Sequence, residues 1–267
     1  MSASRPAPLS SLPGAAARHV RGLLTDIDDT LTREGGIEPE ALAALHDLRS
    51  AGVPVIAVTG RPMGWSRDFA ETWPLEAIVA ENGAVALFTD NGKLITEYAQ
   101  DESTRTTNAG RLKAAAERVL REVPGSTLAR DSAGRVTDIA IDHSEFARLD
   151  PDRIAQVVEV MRAEGMNATV SSIHINGWYG EHDKLSGARW IVGRRLGRVL
   201  DAETAHWVYV GDSTNDQQMF GHFPLSIGVA NLLHFADSLT VWPAYLTEGE
   251  RGAGFAEVAN RLIQARR

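Results

Sequence analysis

A chain of 267 residues, 43% apolar and 23% charged, can bury a substantial core in one large or two modest domains. A formal net charge of −8 with no basic block argues against a general nucleic-acid binder, and the lack of cysteine excludes disulfides and thiolate metal sites. No apolar run approaches the roughly 18 residues of a membrane span, so the expectation is a cytoplasmic protein with no membrane partner, monomeric or homodimeric.

Residues 1–18 are rich in Ser, Ala and Pro, lack the apolar stretch of a secretory signal, and read as a flexible leader. Val20 to Leu24 is a short apolar run, expected to form a buried parallel strand. It runs into Asp26-Ile27-Asp28-Asp29, three carboxylates in four residues with no cation before Arg33. Such charge at the carboxyl end of a strand is costly unless neutralised, and a hard, oxygen-ligated divalent cation, Mg²⁺, is the economical answer. Glu38-Pro39-Glu40 opens a helix whose apolar face carries Ala41, Leu45 and Leu48. Val53 to Val58 is a second buried strand with Thr59 at its tip. The βαβ order predicts a parallel sheet with Asp26 and Thr59 on one edge. A short helix from Gly64 to Trp73, a strand from Ala77 to Ala80 and a turn at Glu81-Asn82-Gly83-Ala84 follow. Then comes a hairpin, Val85–Phe88 with Lys93–Ile95, around Asp90-Asn91-Gly92.

From about Tyr98 the pattern changes. Arg111 to Glu122 and Ile154 to Met161 are amphipathic helices, the second started near Asp150-Pro151, while Val136–Asp142 and Thr169–Asn176 alternate as strands. These predict a small α+β layer with one sheet face exposed, a cap inserted over residues 96–181 between core segments 19–95 and 182–267. Lys184 then starts a helix. Trp207–Val210 is a strand ending in Gly211-Asp212, Leu225–Val229 and Leu239–Trp242 are two more, and Gly254–Gln264 closes the chain as a helix. The predicted fold class is α/β: a Rossmann-like, doubly wound parallel-sheet core carrying an inserted α+β cap.

Asp26-Ile27-Asp28-Asp29-Thr30, Thr59 within Val58-Thr59-Gly60-Arg61-Pro62, Lys184, and Gly211-Asp212-Ser213-Thr214-Asn215-Asp216 occur in this order. With all four motifs present, the chain from about His19 onward resembles the haloacid dehalogenase superfamily of phosphohydrolases. Glu81-Asn82-Gly83-Ala84 and the long gap before Lys184 resemble its type IIB members, with an inserted α/β cap. The segment around Ser172 to Lys184 and the stretch Pro243 to Phe255 are similar to mannosyl-3-phosphoglycerate phosphatases. Sucrose-phosphate phosphatases and phosphomannomutases share the capped layout with different cap motifs. The resemblance implies a Mg²⁺-dependent phosphoric monoester hydrolase acting on a small phosphorylated metabolite, a sugar phosphate or a glycosyl-phosphoglycerate. Two alternatives stand beside it. A phosphomannomutase-like phosphotransferase would use the same core motifs, and a non-catalytic sugar-phosphate binding protein would have lost one of them.

Carried onto this chain, the resemblance makes Asp26 the nucleophile that forms an aspartyl-phosphate and Asp28 the general acid and base. Thr59 offers a hydroxyl and an N–H to a phosphoryl oxygen, Gly60 permits close approach, and Lys184 supplies the offsetting positive charge. Mg²⁺ would be held by the Asp26 carboxylate, the Asp28 carbonyl and Asp212. Asp216 either supports that shell or orients Lys184, and Asn215 bonds the phosphate or Asp216. Asp29 reads as a turn residue. Arg61 either holds substrate or caps its loop, and Asn82 is a further substrate-binding candidate. In the cap, alternation puts Ser172, His174 and Asn176 on one polar face, with Trp178 beside them to stack on a sugar ring, so His174 and Asn176 are the candidate specificity residues.

Overall fold

The computed structural model describes residues 5–267. Short segments come first: β1 (Ala7–Pro8), α1 (Gly14–Arg18), then the strand β2 (Gly22–Thr25) and a small hairpin, β3 (Thr32–Arg33) and β4 (Gly36–Ile37). Helix α2 (Pro39–Ser50), with Pro39 in its first turn, leads to β5 (Val55–Val58); α3 (Met63–Thr72) leads to β6 (Ala77–Ala80). A hairpin of β7 (Val85–Asp90) and β8 (Lys93–Tyr98) follows, its turn made by Asn91 and Gly92 at φ 48° and 75°, the left-handed conformation such two-residue turns require. The next stretch holds α4 (Glu102–Glu122), β9 (Thr127–Leu128), β10 (Asp138–Asp142), α5 (Pro151–Ala163), β11 (Asn167–Val170) and β12 (His174–Trp178). The chain ends with α6 (Lys184–Leu196), β13 (Trp207–Gly211), α7 (Gln217–His222), β14 (Leu225–Gly228), β15 (Tyr245–Leu246) and α8 (Arg251–Gln264).

Nine strands form one sheet in the order β1-β15-β14-β13-β2-β5-β6-β7-β8, parallel except where β7 pairs β6 and β8. β2 lies between β13 and β5, and all residues of these three strands are buried, as apolar runs with helices on both faces should be. One apolar cluster packs α2 and α8 against the sheet; a second packs α6 and α7 on its other face. Four strands, ordered β11-β12-β10-β9, make a separate antiparallel sheet. Helices α4 and α5 cover one face of it with a third cluster, drawn from Leu112 to Tyr179.

Four sequence expectations need correction. Residues 1–4 lie outside the described residues, but the rest of the supposed leader is packed: Ala7 and Pro8 pair with β15, and Leu9, Leu12 and Ala17 are core residues. Leu239–Trp242 is no strand, and the edge position beside β14 is taken by Tyr245–Leu246. The alternating run 169–176 is broken, because the Ser171 hydroxyl accepts the N–H of His174 (3.0 Å) and donates to its carbonyl (3.1 Å), turning the chain from β11 into β12. Finally, β10 and β12 are buried on both faces, so the polar side of the small sheet is not open to solvent. It sits on the loops at the carboxyl end of the large sheet.

Candidate active site

The tips of β2, β5 and β13 are adjacent because the strands are, and each delivers one polar residue to the same place. Asp26 follows β2, with its N–H bonded to the Val210 carbonyl of β13 at 2.9 Å. One of its carboxylate oxygens accepts the Ile27 N–H (2.8 Å), and the other lies 3.0 Å from Lys184 Nζ. Lys184 is the first residue of α6, whose start is fixed by a reciprocal cap between Asp183 and Ser186. Its Nζ also donates to Asp216 at 2.8 Å. Asp216 is fully buried and fully engaged, accepting from Lys184, from the Tyr209 hydroxyl, and from the N–H groups of Asp212 (2.9 Å) and Ser213 (3.1 Å). A Cβ at position 211 would lie 2.5 Å from the Asp216 carboxylate, so the loop closes around it only with Gly211.

Asp212 differs from its neighbour. It too is fully buried, yet its carboxylate has only long contacts, 3.5 Å from the Thr30 hydroxyl and 3.4 Å from the Asn231 amide. Burial, with Asp216 and Asp26 close by, pushes its pKa well up. Burial raises Asp26 to about 7 against the pull of Lys184, with Asp216 and Asp28 adding to the rise. Lys184 is moved the other way: burial opposes its charge, but Asp216 and Asp26 outweigh it and push its pKa up. One oxygen each of Asp26, Asp212 and Asp216 fall within 4.8 Å of one another. Three carboxylates against one ammonium leave negative charge over, and the under-bonded Asp212 is a donor that a hard divalent cation such as Mg²⁺ fits.

Thr59 is buried at the tip of β5, its N–H bonded to Val79 and its hydroxyl accepting the Arg61 N–H at 3.0 Å. Asn82 stands in the left-handed region at φ 55° and returns its N–H to the Thr59 carbonyl (3.0 Å). Asn215 is half-buried, and its carbonyl oxygen accepts from the Ser213 hydroxyl at 2.9 Å, so it braces the loop. Asp29 is a turn residue at φ 52° paired with Arg251 (2.7 Å).

Asp28 meets Arg61, whose Nε donates to its carboxylate at 2.8 and 3.1 Å. The same guanidinium reaches Glu145 (2.8 Å) and Asp131 (3.2 Å), both from the stretch that carries the small sheet, and lies 4.9 Å from the Trp65 ring centre. His174 and Asn176 do come together on one face of β12, but against protein. The His174 ring bonds Glu145 at 2.8 Å, while Asn176 donates to Asp138 (3.0 Å) and to the Gly60 carbonyl (3.3 Å). Trp178 is buried, with its N–H spent on the His182 carbonyl (2.8 Å), and offers no ring to a sugar. Ser172, in the turn before β12, instead lines a cavity of about 520 Å³ together with Asp28, Glu34, Ser144, Glu145 and Arg148.

Several buried charges at this junction carried no sequence signal of their own. Glu81, fully buried, accepts the N–H groups of Met63 (3.0 Å), Val136 (3.1 Å) and Thr137 (2.6 Å). Arg135 donates to Asp138 and to the Gly60 carbonyl, each at 2.9 Å. Burial raises Asp138 to about 7 although Arg135 pulls it down. Burial pushes Glu145 up, but the hydrogen bonds from His174 and Arg61 prevail and hold it at about 2. Glu81 could have been suspected from its place beside Asn82-Gly83; the rest become visible only when strands far apart in sequence meet.

Comparison with known proteins agrees with this architecture. The model of the haloacid dehalogenase-like hydrolases matches residues 23–108, which carry Asp26, Asp28 and Thr59. Over that stretch the chain is similar to the haloacid dehalogenase-like hydrolases. Curated relatives span nearly the whole length of the chain. They include a phosphoglycolate phosphatase of Methanothrix thermoacetophila, 25% identical over 92% of this chain and 98% of the relative. Another from Methanosarcina acetivorans is 27% identical over 91% and 96%. Among solved structures, a Thermoplasma acidophilum protein shares the fold of this chain with a TM-score of 0.69 at 15% identity, covering 91% of this chain and 98% of that one. The sucrose-phosphatase of Synechocystis, solved with sucrose and phosphate, does so at 0.64 and 16%, covering 92% and 98%.

Proposed function

We propose that this protein is a Mg²⁺-dependent phosphatase that cleaves a small phosphate monoester, a sugar phosphate or glycosyl-phosphoglycerate, through an aspartyl-phosphate on Asp26. The observation that carries the reading is Lys184, whose one ammonium bridges Asp26 at 3.0 Å and Asp216 at 2.8 Å at the carboxyl end of the sheet. A cation held so tightly beside a buried carboxylate favours the ionised, attacking form against the effect of burial, and offsets the charge of an incoming phosphoryl group.

In this mechanism a carboxylate oxygen of Asp26 attacks phosphorus, the P–O bond to the alcohol breaks, and Asp28 gives the departing oxygen its proton. Asp28, now ionised, takes a proton from water as that water attacks the aspartyl-phosphate, releasing inorganic phosphate and restoring Asp26. Thr59 donates to a phosphoryl oxygen and Lys184 balances the charge throughout. Asp26, Asp212 and the Asp28 carbonyl would hold Mg²⁺, which when bound supplies positive charge beside the phosphoryl oxygens. The cavity next to Asp28, lined by side chains of both signs and by hydroxyls, suits a hydroxyl-rich leaving group.

The test is phosphate release from a panel of sugar phosphates, phosphoglycerates and phosphoglycolate, the last included because it names the curated relatives' activity. Asp26→Asn should abolish turnover with the fold intact, EDTA should silence the unaltered enzyme, and Mg²⁺ should restore it. Full activity in EDTA would remove the metal from the mechanism, and turnover by Asp26→Asn would remove the phosphoenzyme.

A further inference from the structure

We propose that Glu145 is a positioning residue: from the overlying four-stranded layer it holds Arg61, and through Arg61 it fixes the carboxylate of Asp28 for proton transfer. The inference rests on the phosphatase reading, since it concerns how Asp28 performs its part.

Arg61 follows Thr59-Gly60 at the tip of β5, and its side chain is 4% exposed. It has partners on two sides. Asp28 belongs to the loop after β2, whereas Asp131 and Glu145 come from the stretch that carries the small sheet. A guanidinium is a rigid planar fork, so pinning one edge decides where the other edge points. Glu145 takes Nη2 at 2.8 Å and Nη1 at 3.4 Å, while Nε donates to Asp28 and Nη2, shared between the two acids, also lies 2.8 Å from the Asp28 carboxylate. Glu145 is itself held in place. Its second oxygen meets His174 Nε2 at 2.8 Å, and Asp142 gathers the N–H groups of Ser144 (3.1 Å), Glu145 (2.9 Å), Phe146 (2.9 Å) and Ala147 (3.1 Å) into one tight loop. The result is an unbroken run from β12 through His174, Glu145 and Arg61 to Asp28. Without Glu145, the guanidinium loses the anchor on its far edge and is free to swing toward the substrate phosphoryl group, and that shift would take the Asp28 carboxyl out of register with the leaving oxygen. Geometry at this scale matters, because proton transfer needs a heavy-atom approach of about 2.6–3.2 Å.

The experiment compares an alkyl phosphate, whose leaving oxygen needs a proton, with an activated aryl phosphate, whose leaving oxygen does not. Glu145→Ala should lower kcat on the alkyl ester by about 10- to 100-fold, part of what acid–base transfer typically supplies, with a small change in KM and little loss on the aryl ester. Glu145→Gln, which keeps an oxygen for Arg61, should recover much of the rate and also serves if the alanine variant folds poorly. In an Asp28→Asn background, removing Glu145 should cost almost nothing more, since both changes break one chain of contacts. Losses that multiply in the double variant, equal losses on both esters, or a rise in KM alone would overturn the assignment. Activity of the unaltered enzyme and its loss in Asp26→Asn report on the phosphatase reading; the ratio between esters reports on Glu145.

Discussion

Asp28 is the residue whose role depends most on its surroundings. Bound by Arg61 and only 8% exposed, it must still exchange a proton twice per turnover under the proposed mechanism. Asp28→Asn should therefore cut hydrolysis of a sugar phosphate by about 100-fold or more, while an activated aryl phosphate still yields phosphoenzyme. Phosphoenzyme trapping on the two esters decides it, and equal losses would make Asp28 structural. Asp26, Thr59 and Asp212 were legible in the sequence because each follows a strongly patterned strand, where an apolar run stops and a polar residue is presented; Lys184, at the start of α6, was legible only from its order among those motifs. The carboxylates around Arg61 were not, since Asp131 and Glu145 lie 70 and 84 residues from it in the chain. Charge in a sequence does not distinguish a buried acid from a solvated one. His174 and Asn176 show the converse: alternation correctly put them on one face, but what covers that face is Glu145, Asp138 and Gly60.

At the scale of elements, the position of Lys184 depends on how closely α6 can approach the Glu81-Asn82-Gly83 turn. A Cβ on Gly187 would lie 2.5 Å from the Gly83 Cα and 2.9 Å from Val79, and one on Gly83 would collide with the Asp183 backbone. Gly187→Ala should thus push the helix outward, at a cost of roughly 1–3 kcal/mol typical of overpacking. Thermal unfolding should show a lower Tm, and kcat should fall with it as Lys184 moves off Asp26. An unchanged Tm would mean that the turn yields instead. The sequence reading found nearly every core strand and helix from periodicity and turn residues. It erred where polar side chains override the pattern, as at Ser171, and where short segments are recruited by tertiary pairing, as at Ala7–Pro8.

For the molecule as a whole, His182 ties stability to pH. It is buried between the small sheet and α6, stacked 5.8 Å from the Trp178 ring, with neither ring nitrogen hydrogen-bonded among the described residues. Burial lowers its pKa from 6.5 to about 4. The unfolded chain therefore takes up a proton near pH 6.5 that the folded chain refuses until about pH 4. The stability it contributes is complete above pH 6.5 and is lost as pH falls toward 4, by about 2 kcal/mol at pH 5. Urea unfolding of the unaltered chain and of His182→Phe should diverge accordingly between pH 7 and pH 5, the variant losing less. Parallel slopes would show that His182 ionises freely in the folded state.

The packing of the first described residues against the last has a topological consequence. Arg18 donates to the Ala265 carbonyl at 2.9 Å, Arg261 to Leu12 and Arg266 to Val20, while β1 borders β15. Both terminal segments are thus stitched to one flank, remote in sequence from the tight Asn91-Gly92 turn, which is exposed to solvent. The first and last described segments therefore lie side by side. Joined by a short flexible linker across that flank and reopened at Asn91-Gly92, a circular permutant should fold and release phosphate with the unaltered chain's ester preference, because neither the join nor the new opening touches the strand tips that hold Asp26, Thr59 and Asp212.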